Sequence, residues 1–337
     1  MDTPIRIALA GAGVFARDAH LPALTALADR FTIAAVYSRT QASAERLAAQ
    51  LADPVTIYTD FAALLAHDNL DAVDILLPIE QLPAAVEAAL AAGKHVVSEK
   101  PIAPDLASGR RLLEIATRHP DQVWMVAENW RYETAFLRAA EIIRSGTLGN
   151  LAACHWAVYI PLTPDNKYYQ TPWRRTGTFP GGFILDGGVH QIAALRLVLG
   201  EITAVSAQTQ LMRPDLPPAD TLAAVLEFER GIIGSLTMTF AAGAPWAAPL
   251  HIVGLNGAFQ VDRGELMLTT PDGTQHETLP DSRSVDAELR DFADAITRGQ
   301  PHRNTPAAAL QDVAVIEALL QSAATGQRVT VERIASQ

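Results

Sequence analysis

A single cysteine, Cys154, is all the thiol that the 337 residues carry. Without a second one there is no intramolecular disulfide and no cysteine zinc cage, a pattern that suits a reducing cytoplasm. Positive charge is short as well: 26 Lys and Arg stand against 37 Asp and Glu, a net charge of −11. That field repels phosphate backbones and anionic lipid, which argues against nucleic acid or a membrane surface as partner. Long apolar runs are missing. The longest, residues 7–15 and 84–92, fall short of the ~18 residues that a spanning helix needs. Residues 5–16 are apolar but hold two glycines and follow no basic lead-in, so they read as a buried strand and not as a secretory signal. The histidines other than His190 form no i,i+4 or H-x-H pair with one another, so no metal is expected.

What remains is globular composition, 49% hydrophobic and 19% charged, which leaves disorder without a case. At about 100 to 200 residues per domain the length predicts two domains. Apolar runs of strand length at residues 5–10, 32–37, 55–58, 72–77, 95–98 and 123–127 alternate with helix-like segments at 20–30, 41–51, 61–66, 82–92 and 106–118. Strands apolar on both faces and joined by helices require a parallel sheet covered on both sides. Past Glu128 the alternation stops. After a helix at 134–145, strands at 151–160, 202–211, 221–228, 231–240, 250–253, 258–262 and 265–269 follow one another, with a hairpin signal at Asp272-Gly273. Helices at 185–199, 285–297 and 307–324 are expected to cover one face of their sheet. The expected architecture is α/β: an N-terminal domain with a doubly wound parallel sheet over residues 1–128, then a C-terminal α+β domain with a mainly antiparallel sheet over 129–337.

Gly11-Ala12-Gly13-Val14-Phe15-Ala16 fits G-x-G-x-x-A directly after a strand and before a helix. Gly11 permits the tight turn, Gly13 lets backbone approach a pyrophosphate, and Ala16 lets helix and strand pack closely. The second strand ends in Tyr37-Ser38-Arg39-Thr40. An acidic residue here would bind a ribose 2′-hydroxyl, whereas a guanidinium with two hydroxyls suits a 2′-phosphate, so NADP is favoured and NAD is the alternative. The competing reading has Arg39 stacked on adenine or in solvent.

Glu99-Lys100-Pro101 closes the fifth strand, at the sheet end where open α/β sheets hold ligands. Farther on, Gly181-Gly182-Phe183-Ile184-Leu185-Asp186-Gly187-Gly188-Val189-His190 opens a helix with Asp186 and His190 four apart on one face, where a carboxylate can orient an acid/base imidazole. The paired glycines are read as room for a ligand or the nicotinamide; Asp186 as a plain N-cap is the competing reading. Asn129, Arg131 and Tyr132 either line a ligand or form a packing hinge. The cationic and aromatic stretch from Lys167 to Arg175, with Trp173 and Arg174, suits hydroxylated rings or anions, or else is a solvated loop.

The glycine turn, A-G-K-H-V-V-S-E-K-P at 92–101, E-N-W-R-Y at 128–132, S-G-T-L-G at 145–149 and the Asp-x-x-x-His stretch together resemble the glucose-fructose oxidoreductase, inositol dehydrogenase and rhizopine catabolism protein family over nearly the whole chain. The resemblance implies a Rossmann domain followed by an α/β domain whose open sheet mediates oligomers. It implies that Lys100 holds and polarises a reacting hydroxyl, that Asp186 is partner to substrate and imidazole, and that His190 is the acid/base. Val14, Phe15, Pro78, Glu99 and Lys100 join the glycines, Ala16, Ser38, Arg39 and Thr40 as cofactor-side residues. One departure stands out: Leu77-Pro78-Ile79-Glu80-Gln81-Leu82 replaces the family's Thr-Pro-Asn-x-x-His.

The expected function is hydride exchange between a nicotinamide cofactor and a sugar, polyol or related hydroxy or carbonyl compound. The alternative is a catalytically silent nucleotide-binding regulator or sensor. In residues 235–240, Leu236, Met238 and Phe240 alternate with Ser235, Thr237 and Thr239. The apolar side is expected to meet helices and the Thr-rich side to pair with a second copy, as a homodimer or dimer of dimers, unless it is a solvated sheet face.

Overall fold

Six short strands build the N-terminal sheet of the computed structural model, which describes residues 3–246 and 249–335. They are β1 (Ile5–Ala10), β2 (Phe31–Tyr37), β3 (Thr56–Tyr58), β4 (Ala72–Ile75), β5 (His95–Glu99) and β6 (Trp124–Ala127), all parallel in the order 3-2-1-4-5-6. This is the doubly wound order, whose reversal between β1 and β4 opens a ligand crevice at the strands' carboxyl ends. The crossovers are α1 (Leu21–Ala26), α2 (Gln41–Ala48), α3 (Phe61–Leu65), α4 (Leu82–Ala91) and α5 (Leu106–Ala116). Asp60 and Asp105 cap α3 and α5 by accepting from Ala63 N and Ser108 N, each at 2.7 Å. The first helix, expected over residues 20–30, instead starts at Val14, passes through a π-helical turn Ala16–His20 and ends at Ala26. Its opening turn carries exposed Arg17 and Asp18, which hide the apolar period that marks a helix.

The chain divides into two units, one of Met1–Asn129 with Val285–Leu310 and one of Trp130–Ser284 with Gln311–Gln337. The first unit runs through Asn129 before the chain enters the second, and α9 (Ser284–Arg298) returns almost whole to the first unit. This corrects both the single cut after residue 128 and the placing of residues 285–297 on the second sheet. The reason is apolar burial. Leu289, Phe292 and Ala293 enter the core formed by Ile7, Leu9 and Leu24, Phe292 stacks on Phe31 at 6.5 Å, and Asp294 pairs with Arg30 at 2.5 Å. Periodicity shows that a helix has an apolar face and does not say which sheet receives it.

The second unit holds α6 (Thr134–Arg144), β7 (Leu151–Pro161), α7 (Phe183–Asp186), α8 (Gly188–Leu199), β8 (Ile202–Gln210), β9 (Thr221–Phe228), β10 (Ile233–Thr239) and β11 (Ala241–Trp246). Then follow β12 (Leu250–Gly254), β13 (Gly257–Asp262), β14 (Glu265–Thr270), β15 (Gly273–Thr278), most of α10 (Pro306–Thr325) and β16 (Val329–Thr330). The sheet order is 15-14-13-12-7-10-9-8-16, with β11 beside β7; every pair is antiparallel except β7 with β10. β11 is not marked by the alternation because Gly243 and Pro245 interrupt it, and it pairs in register with β7 at Ala241 and Trp246. Leu236, Met238 and Phe240 are buried while Ser235, Thr237 and Thr239 are half-buried, as the alternation requires.

α10 is the one helix among the described residues with the length and hydropathy to cross a membrane, and 67% of that window is buried inside the fold. Its Asp312 is clamped by Arg131 and Arg196, and its Ser322 Oγ accepts from Ala207 N of β8 at 2.9 Å. It packs as a core helix.

Candidate functional site

The glycine turn joins β1 to the first helix at the sheet's reversal point. Gly11 has φ +134°, and a Cβ there would lie 2.3 Å from the Leu76 carbonyl oxygen after β4, so only glycine fits. Gly13 is the opposite case: it is exposed and a Cβ would meet nothing within 4 Å. The turn is thus pressed against β4 on one side and open on the other. Gly11 N donates to Tyr37 O at 2.9 Å, which brings the turn beside Ser38 and Arg39. Arg39 and Thr40 are exposed. Thr40 begins α2, and its hydroxyl donates to Ser43 Oγ at 2.8 Å. Val14, Phe15 and Pro78 are half-buried and Ala16 is buried. An open glycine cradle at a helix start, with a guanidinium at the end of β2, fits a dinucleotide's phosphates and ribose.

Glu99 leaves this rim. It is 9% exposed, and its Oε1 lies 3.2 Å from Nε2 of His20, close enough for an ion pair though not aligned as a hydrogen bond. His20 Nδ1 in turn donates to Asp74 Oδ2 at 2.7 Å, with both side chains fully buried. Burial opposes the imidazole's charge, but the Asp74 and Glu99 carboxylates outweigh it and hold its pKa well above the ordinary 6.5. Glu288 of α9 is fully buried nearby; burial, opposed by the His20 charge and helped by the Glu99, Glu128 and Asp74 carboxylates, pushes it well above the usual carboxylate range. Its Oε2 accepts from Asn304 Nδ2 at 3.1 Å. This proton-holding cluster was not foreseen, because a lone His between apolar residues gives no sign of two carboxylates 54 and 79 positions away. Lys100 follows Glu99 directly and is half-buried.

In the second unit Asp186 ends α7 and His190 lies in the first turn of α8, with Gly187 helical between them. The single helix expected from residue 185 is therefore two, but the pair keeps its one-turn spacing. Asp186 is buried and accepts from Arg174 Nε at 2.7 Å. Arg174 is held in place by Thr171 Oγ1 at 2.9 Å and by the rings of Trp173 and Tyr168, 4.2 and 5.2 Å from its guanidinium carbon. Both residues were expected at the site; their pairing was not.

The glycines of this motif require a correction, since their room is taken by the chain itself and not held open for a ligand. A Cβ on Gly187 would lie 2.8 Å from Phe240 Cζ, and one on Gly188 3.1 Å from Met238 Sδ. Gly182, at φ +50°, would strike the Pro217 carbonyl oxygen at 2.6 Å. They let α7 and α8 sit directly on β10 and its neighbours. Arg131, expected beside a substrate, is likewise taken up by the chain: it is 6% exposed and bound to Asp312, in a buried ion network. Asn129 and Tyr132 are buried as well. Among the described residues no group of three or more His, Cys, Asp or Glu could hold a metal ion.

Residues 5–127 match the oxidoreductase family's NAD-binding Rossmann fold and residues 140–331 its C-terminal alpha/beta domain. The dehydrogenase FPY6 of Fusarium mangiferae is 35% identical, covering 95% of this chain and 97% of its own length. The dTDP-3,4-didehydro-2,6-dideoxy-alpha-D-glucose 3-reductase of Streptomyces violaceoruber is 28% identical over 95% of each chain. A crystal structure of an oxidoreductase from Thermotoga maritima superposes with a TM-score of 0.92 at 35% identity, covering 98% of this chain and 99% of the other. With both domains matched in order, the chain belongs to the glucose-fructose oxidoreductase, inositol dehydrogenase and rhizopine catabolism family of oxidoreductases and carries its NAD-binding Rossmann fold.

Proposed function

We propose that this protein is a nicotinamide-dependent oxidoreductase that interconverts an alcohol and a carbonyl on a sugar, a polyol or a related compound. The observation that carries the cofactor half is the glycine turn, closed against Leu76 and open at Gly13. Support for the substrate half comes from the sugar reductase among the relatives and from the Arg174, Trp173 and Tyr168 cluster around Asp186. A nicotinamide dinucleotide held at the glycine turn would supply the position that takes up or returns a hydride. His190 takes the hydroxyl proton in oxidation and gives it back in reduction. Lys100 stabilises the negative charge that develops on the substrate oxygen. Asp186, held by Arg174, orients substrate hydroxyls and the imidazole. A panel of sugars, polyols and ketoses run with NADP and NAD, read by nicotinamide fluorescence, tests this. Tight cofactor binding without turnover on any member would make the protein a nucleotide-binding regulator instead.

NADP is the preferred cofactor in this reading, because Ser38 and the exposed Arg39 follow β2 where an acidic residue would select NAD. Arg39→Ala is expected to weaken NADPH binding by about 1.5 to 3 kcal/mol, the scale of a charge-assisted hydrogen bond, and barely to alter NADH. Equal losses for both cofactors in a fluorescence titration would remove the phosphate role. The thiol of Cys154, pushed up to about 12 by burial, is inert and suits the reducing cytoplasm in which we place the protein.

We also propose that the outer face of the second sheet pairs with a second copy. Val225, Ile233 and Val253 are 47%, 58% and 46% exposed on it, alongside half-buried Thr237. Thr237→Arg is expected to dissociate the dimer without abolishing cofactor binding, as measured by light scattering. A wild-type mass near 36.1 kDa at micromolar concentration would exclude the pairing.

A further inference from the structure

Trp130 stands in the 3-10 turn Asn129–Tyr132 and has no part in the chemistry set out above. Its indole lies nearly parallel to the imidazole of His190, with centroids 5.2 Å apart and planes 16° from parallel. It is itself held from the core. The fully buried Phe136 of α6 stacks with it at 5.6 Å and 22°, and Trp156 of β7 lies 6.2 Å away. Phe136 and Trp156 meet edge to face at 5.7 Å, so the three rings form one rigid group. Arg263, tied to the buried Glu133 by a 2.6 Å ion pair, places its guanidinium carbon 5.5 Å from the indole centre. His190 thus borders a fixed aromatic wall, while Asp186 precedes it by one turn at the end of α7.

We propose that Trp130 is a positioning residue for His190 beside Asp186: by stacking, it holds the plane of the imidazole and so the direction in which its nitrogens exchange a proton. This rests on His190 being the acid/base group. Proton transfer needs the nitrogen within about 2.6 to 3.2 Å of the hydroxyl and aimed at it. A histidine side chain turns about two bonds, and a helical backbone restricts only the first. Offset or parallel aromatic pairs prefer centroid separations of about 4.5 to 7 Å, the range found here. A stacked ring keeps its plane through the catalytic cycle.

The test reads the ring directly, without substrate. In proton NMR, the His190 Hε1 resonance, identified by its absence from His190→Gln, is expected to be displaced by the indole ring current. Trp130→Leu should return it to the ordinary histidine position, and Trp130→Phe, with a smaller flat ring, should keep part of the displacement. In steady state Trp130→Leu should lower kcat by at least about tenfold, a part of the ~10² to 10⁴ that acid/base groups contribute, with KM little changed, and Trp130→Phe should recover part of that loss. An unchanged resonance, or a kcat in Trp130→Leu equal to wild type, overturns the proposal. So does a Trp130→Phe protein, shown folded by circular dichroism, that is as impaired as Trp130→Leu. If the ring-current displacement behaves as described but wild-type turnover resists His190→Gln, the acid/base role of His190 has failed, and the positioning role falls with it while the stack stands.

Discussion

Lys100→Met is expected to lower turnover at least ~10²-fold while leaving cofactor affinity nearly unchanged, the effect of losing one preorganised electrostatic stabiliser. Met keeps most of the length and the apolar stem of the side chain and removes the ammonium with its charge and donors, so the loss reads the ammonium itself. The structure makes the position well suited to that role. β5 ends at Glu99, whose carboxylate is held inward by His20, and Pro101 is buried, so Lys100 is carried between two fixed neighbours at the strand's carboxyl end. Lys94 is a useful control, because its ammonium donates to the Leu70 carbonyl at 2.8 Å at the other end of β5, and Lys94→Met should leave kcat unaltered. Retained turnover in Lys100→Met, measured with the best substrate of the panel, would remove the lysine from the chemistry.

The second large effect is on stability. His20→Leu is expected to cost about 3 to 5 kcal/mol in urea unfolding near pH 6, because it leaves Asp74 and Glu99 as buried carboxylates without their cation. A loss below about 1 kcal/mol would show that the imidazole carries no charge there. The same cluster gives a sign to the pH dependence. His20 holds its proton more tightly folded than unfolded, so its contribution is complete below the unfolded pKa of about 6.5 and is lost as pH rises through the folded value. Glu288, also raised, acts in the same direction from about 4.5 upward, since unfolding lets it ionise. Each raised group removes about 1.4 kcal/mol per pH unit within its own window. Glu288→Gln keeps an acceptor for Asn304 but cannot titrate, so its stability should fall less steeply than wild type between pH 5 and 8. Equal slopes would exclude Glu288 from the effect.

Neither effect was visible in the one-dimensional order of the residues to the same degree. Lys100 could be singled out because a lysine between Glu99 and Pro101 at the end of an apolar strand has a defined place in a parallel sheet. His20 could not, because its partners come from β4 and β5, and Glu288 arrives on a helix more than half the chain away. Trp130 and Arg174 show the same limit. The composition of their segments left ligand contact open against a packing hinge for one and a solvated loop for the other, and folding joined one to His190 and the other to Asp186.

By itself the sequence determined the local and the periodic: the glycine turn after β1, the alternation that makes a parallel sheet, the change of pattern near Glu128, and the one-turn spacing of Asp186 and His190. Those follow from backbone geometry and from side-chain repeats of two and 3.6 residues, which act between neighbours along the chain. Only the tertiary structure decided which sheet received α9, that Gly182, Gly187 and Gly188 serve packing, that Arg131 is bound to Asp312, and that His20 keeps its proton between two acids. These are outcomes of burial and of charge in a low-dielectric interior. Both depend on which distant groups the fold brings within a few ångströms, and no local pattern encodes that.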